Sequence, residues 1–165
     1  MTILVALSNI TADSAKPMEK MLQQVHQLLD YMYSNSNAVI RFHASAMILN
    51  VHSDASYLSA IKGRSREGEY YFLGTVPQNN KPIFLNGNIH ITCETLKLVA
   101  ASLAVAKLGA LFVNTQELKV IRLILHEVGH PQPPIPIHID NSTAMGIVSN
   151  MIKRQQPRAM EIRYF

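Results

Sequence analysis

Two apolar runs of this chain, MILNVHSD (residues 47–54) and IPIHID (residues 135–140), each stop on an aspartate. A strand bound for a core does not carry an unpaired charge, so an acid closing an apolar run marks where the strand leaves the sheet at its edge. Between the two runs, residues 103–125 place Leu108, Leu111, Phe112, Leu118, Ile121 and Leu125 three, four, six and seven apart, the period of a helix. In chain order, three sequential strands lead into this long helix, and the helix leads into one more strand that ends in an acid. With the two acidic runs as neighbours, Asp54 and Asp140 meet at one edge.

The remaining elements follow from local signals. Ser14 is placed to cap a helix that starts near Lys16 and Pro17, runs through Met21, Val25, Leu28, Leu29 and Met32, and ends near Tyr33. SNSN is a turn, and AVIRFHAS reads as a strand able to pair with MILNVHSD. KGRSREGE reads as a polar, basic loop before the strand YYFLGTV, and VPQNNKP as the turn of a hairpin. IFLNGNIHIT reads as two apolar runs around an Asn-Gly turn, with a strand ending near Thr92. Gly129 and HPQPP stop the long helix, and Asn141 with Ser142 opens a last helix through Met151. The expected fold class is α/β, a mixed sheet of three antiparallel strands and a parallel fourth, with flanking helices.

Composition narrows the function classes. With 48% hydrophobic and 16% charged residues the chain is globular, and its single cysteine, Cys93, excludes an intramolecular disulfide and a cysteine zinc site. The N-terminal MTILVALSNI lacks a basic leader, and no run approaches the ~18 apolar residues of a membrane span. A soluble, intracellular protein, cytoplasmic or nuclear, with no membrane partner, is the expectation. The net charge of +4 permits a polyanionic partner without demanding one.

Adjacent carboxylates repel, and a fold keeps them close when a cation lies between them; all-oxygen ligands suit magnesium or manganese. Two such ions ~3.5 to 4 Å apart, holding the attacking and leaving oxygens, hydrolyse phosphodiesters. The plain alternative is that each aspartate caps a turn or the next helix, for which Asp140 before Asn-Ser-Thr is well placed.

MILNVHSDASYLSA, RSREGEYYFLG, the helix with AVAKLGALF, PIHIDNSTAMGI and KRQQPRAMEIRYF, in this order, resemble the ribonuclease H domain of copia-type retrotransposon polyproteins. Residues 1–45, with MEKMLQQVHQLLDYMYSNSNAVIRFHAS, resemble the tail of the reverse transcriptase that precedes it. The resemblance implies a ribonuclease H-like domain over residues 46–165, incomplete at its C-terminus, whose ancestral reaction is metal-dependent hydrolysis of RNA in an RNA·DNA hybrid. It implies that Asp54 and Asp140 are ligands of Mg2+ or Mn2+. Where the family helix reads like AEAELGAL this chain reads AVAKLGAL, so Lys107 stands at the position of the catalytic glutamate, and the family's fourth acid lies beyond Phe165. Four carboxylates offset two divalent ions, whereas Asp54, Asp140 and Lys107 carry one net negative charge. The expectation is a pseudoenzyme with little or no activity, in which Lys107 occupies a metal position or else reaches out to solvent.

Two other readings stay open. Lys62, Arg64 and Arg66, with Lys153, Arg154 and Arg158 near the C-terminus, form two basic groups able to contact a phosphate backbone, which would leave a nucleic-acid-binding remnant. HEVGH, His126 to His130, matches a zinc-hydrolase motif that needs both histidines on one helical face. Gly129 and the following prolines argue that the helix ends first, so no zinc is expected.

Overall fold

The computed structural model describes residues 2–14, 19–76, 83–140 and 142–149. The chain divides into two compact units, Met1–Arg41 and Phe42–Phe165. No helix among the described residues is long and apolar enough to cross a membrane.

The first unit holds α1 (Thr2–Asp13) and α2 (Glu19–Ser34). α2 is the helix expected from the Met21 to Met32 spacing. α1 escapes a reading of the sequence because TILVALSNITAD is rich in β-branched residues and has neither an acid in its first turn nor a base in its last. Ser14, expected as a cap of the next helix, donates its hydroxyl back to the Thr11 carbonyl at 2.8 Å.

The second unit holds β1 (Ile48–Ala60), β2 (Arg64–Gly74), β3 (Asn88–Thr95), α3 (Leu103–Glu127), β4 (Ile137–His138) and α4 (Ser142–Val148). The sheet order is β3-β2-β1-β4. β1 and β2 are antiparallel, β2 and β3 are antiparallel, and β4 runs parallel to β1 through the α3 crossover. This is the mixed, ribonuclease H-like sheet that the order of elements predicts.

Several expected elements differ. The first acidic strand does not end on Asp54: β1 runs on to Ala60, with Asp54 opposite Gly68 of β2. AVIRFHAS forms no strand, because the partner of β1 is β2, with Ile48 opposite Gly74 and Leu49 opposite Leu73. Side-chain bonds hold that segment instead. The buried Asn86 accepts from His43 N (2.7 Å) and donates to the carbonyls of His43 (2.9 Å) and Leu73 (2.7 Å). Asn86 therefore works as a clamp, and IFL before it is not a strand. The basic loop shrinks to a single turn, Ile61–Gly63, with Lys62 and Gly63 both at positive φ (61° and 64°), and Arg64 through Glu69 belong to β2. The VPQNNKP turn lies mostly outside the described residues.

Alternation along β1 sends Leu49, Val51, Ser53 and Ala55 to the face covered by α3. At the N-terminal half of α3 the contacts are small: Ala106 and Ala110 are fully buried against Ala55, Leu96 and Ala100. At its C-terminal half Leu125, with Leu118 and Ile121, packs on Leu49, Val51 and Tyr71. Small residues bring the first half of the helix close to the sheet, which places Lys107 within reach of Asp54 on β1 and of Asp140 just past β4.

Ser102 caps α3 by accepting from Val105 N (3.3 Å). At the other end Gly129 takes φ 88°, its N–H bonds the His126 carbonyl (3.0 Å), and His130 N–H bonds the Leu125 carbonyl (2.8 Å). That pair of bonds around a left-handed glycine is a Schellman ending. The following run has prolines at 131, 133, 134 and 136, which offer no ladder donors. The side chain of buried Gln132 substitutes for them: it accepts from Leu49 N (2.8 Å) and donates to the carbonyls of Met47 (3.2 Å) and His130 (3.0 Å). So fastened, the chain enters the two-residue β4.

Candidate functional site

Parallel pairing sets Val51 opposite Ile137 and His52 opposite His138, so Asp54 and Asp140 each lie three residues past the Val51–Ile137 pair. They share an edge, and Lys107 of α3 lies between them. Its Nζ is 3.1 Å from Asp54 Oδ1 and is ion-paired with Asp140. Lys107 is 9% exposed, whereas the Asp54 and Asp140 side chains are 70% and 69% exposed. Of the two readings of Lys107, the inward one holds. Burial alone would lower the lysine pKa, but hydrogen bonds to Asp140 and Asp54 and their charges outweigh it, and the group is held above its ordinary value. Asp54 Oδ1 also accepts from Ala55 N (2.7 Å). Two carboxylates around one ammonium do not fit a pair of divalent ions, because the position between the acids is filled by a cation of the chain itself.

A second set of acids, missed in the sequence, lies under α3. Glu67 and Glu69 alternate with Arg66 and Gly68 along β2, and they are 6% and 1% exposed. Glu67 pairs across from Glu94, and Glu69 from Thr92, on β3. Tyr71 hydroxyl bonds Glu69 and lies 3.0 Å from the Asn114 carbonyl of α3. With its nitrogen turned to Glu69 and the Ala110 carbonyl (2.6 Å), the Asn114 amide accepts from Ser53 Oγ at 2.5 Å. His90 bonds Glu117 at 2.9 Å above them. Burial, then the charges of Glu69, Glu94 and Glu117, push Glu67 up to about 7. Burial also raises Glu69 to about 7, against the hydrogen bond from Tyr71 that pulls it down. Tyr71 is raised by its own burial and by Glu69. The signal for this set was the E-G-E spacing, which puts two acids on one strand face once RSREGE is read as strand.

On the opposite face of β1, His52 stacks on Phe72 (5.7 Å) and meets His138 of β4 (4.9 Å between rings). Neither Nε2 atom has a hydrogen-bond partner. Burial lowers the pKa of His52, and burial with the His52 charge lowers that of His138.

The HEVGH histidines do not share a helical face. His126 is in the last turn of α3 and His130 lies beyond Gly129. His138, the next histidine along the chain, is engaged with His52 instead. Among the described residues no three His, Cys, Asp or Glu side chains form a group that could hold a metal ion.

The basic residues are spread rather than gathered in one loop. Lys62 is exposed on the β1–β2 turn. Arg64 donates to the carbonyls of Lys97 (3.2 Å) and Leu96 (3.5 Å), and Arg66 is 6% exposed. A guanidinium that is buried, or spent on backbone carbonyls, offers less to a phosphate than the sequence suggests. Lys153, Arg154 and Arg158 lie outside the described residues. No family model, curated protein or solved structure matches the chain.

Proposed function

We propose that this chain is a ribonuclease H-like domain of copia-type retrotransposon origin that has become a pseudoenzyme, its metal site replaced by an internal salt bridge. The observation that carries the reading is the Lys107 ammonium bonded to both Asp54 and Asp140 just beyond the parallel pairing of β1 with β4. Hydrolysis of a phosphodiester by this constellation would need two divalent ions held by carboxylates. Here the two acids are satisfied by Lys107, and no substrate oxygen has a second cation to lean on. The experiment is incubation of the protein with a labelled RNA·DNA hybrid in Mg2+ or Mn2+. No cleavage above background is expected. Hybrid-specific cleavage that Asp54→Asn abolishes would overturn the reading.

Binding of nucleic acid without cleavage is the second reading, favoured by the exposed Lys62 and by the net charge of +4. It predicts salt-sensitive retention of a hybrid that weakens in Lys62→Ala. Retention indifferent to salt and to that change would dismiss it.

A further inference from the structure

The Glu67–Glu69 pair presents a problem of proton supply. Tyr71 hydroxyl touches two acceptors, the Glu69 carboxyl and the Asn114 carbonyl, but it has one hydrogen to give. If Glu69 is ionised, one of these two buried contacts is acceptor against acceptor. If Glu69 carries a proton, it donates to Tyr71, Tyr71 donates to Asn114, and both contacts are hydrogen bonds. Glu67, on the same face two residues away, is 6% exposed, and its Oε2 is buried with no partner. A buried, unpartnered carboxylate oxygen among other acids is costly unless a cation or a proton neutralises it.

The surroundings decide between the two. β2 contributes Tyr71, β3 contributes Glu94 and His90, and α3 contributes Glu117. β1 opposes the pair with Ser53 and Ala55, neither of which titrates. The base among these groups, His90, is bonded to Glu117. No three of these groups form a metal-holding cluster.

We propose that Glu67 and Glu69 form a proton-holding element beneath α3, which fastens the helix to β2 when protonated and loosens it when ionised. The sign follows from the values near 7 against an ordinary glutamate value of 4.5. Stability from the pair is fully present below 4.5 and is lost as pH rises through about 7, by up to about tenfold in the unfolding equilibrium per pH unit for each proton held. Glu67→Gln with Glu69→Gln removes the titration while keeping amide donors for Tyr71.

The experiment is urea unfolding of the full chain and of this double variant from pH 5 to pH 8, with infrared spectra of the folded chain at pH 6. The wild type should lose stability relative to the variant as pH rises, and should show a protonated-carboxyl carbonyl band at pH 6 that disappears on unfolding. Parallel pH curves, or absence of the band at pH 6, would overturn the proposal. So would millimolar Mg2+ or Ca2+ raising the pH 8 midpoint of the wild type alone, because the pair would then hold a cation. If the double variant does not fold, the wild-type band decides alone.

Discussion

The salt bridge of Lys107 is lopsided in its solvation, and that predicts an asymmetry between removing the base and removing the acids. The Lys107 side chain is 9% exposed and both aspartate side chains are about 70% exposed. Lys107→Met keeps the length and apolar stem of the side chain and leaves two aspartates that water can still solvate. Each ion pair is then worth about the surface value, ~0.5 to 1 kcal/mol, and relief of ammonium desolvation returns part of it. The net cost should be about 1 kcal/mol, roughly fivefold in the unfolding equilibrium. Asp54→Asn with Asp140→Asn does the reverse and strands a buried ammonium. Breaking a buried pair from that side costs about 3 to 5 kcal/mol, and we expect the low end because the asparagine oxygens still accept. Urea unfolding of the three proteins at constant pH and salt measures both losses. A Lys107→Met loss equal to or larger than that of the double variant would refute the argument, since the lysine would then be the solvated partner.

Two further outcomes can be checked. The lowered His52 and His138 values mean that their contribution to stability is present above the ordinary histidine value of 6.5 and lost as pH falls through the lowered values; NMR titration should find both imidazoles changing charge below 6.5, and a midpoint at or above it counts against their burial. Asn86→Ala deletes a 7% exposed side chain that bonds His43, Leu73 and Gly87, and should cost about 2 to 4 kcal/mol with faster hydrogen exchange at the His43 amide; unchanged exchange there would mean that the segment is held by other contacts.

The parts legible in the sequence are those where one physical signal dominates. The period of α3 and the Gly129 stop each fix their element, and the matching aspartates of the two acidic runs anticipate the parallel pairing of β1 with β4, although β1 does not stop on Asp54 but continues to Ala60. The substitution of Lys107 was visible as a departure from the resembled pattern, but its direction was not, because a lysine stem either snorkels or turns inward according to how close the helix packs. Ala106 and Ala110 decide that, and only the packed structure shows them pressed on Ala55. AVIRFHAS misleads because β-branched content fits a strand yet says nothing about a free partner. RSREGE misleads in the opposite sense: its charges read as solvated, although β2 buries Arg66, Glu67 and Glu69.

The proline run before β4 also determines what this molecule refuses to join. Beside the two-residue β4, positions 131, 133, 134 and 136 have no N–H to donate, and the amide side chain of Gln132 is turned inward to Leu49 and Met47. An extended strand from a neighbouring molecule, arriving along the margin ahead of β4, would meet carbonyls with few donors between them. The approach to β4, ahead of the stretch that carries Asp140 to Lys107, is thereby a poor template for edge-to-edge pairing.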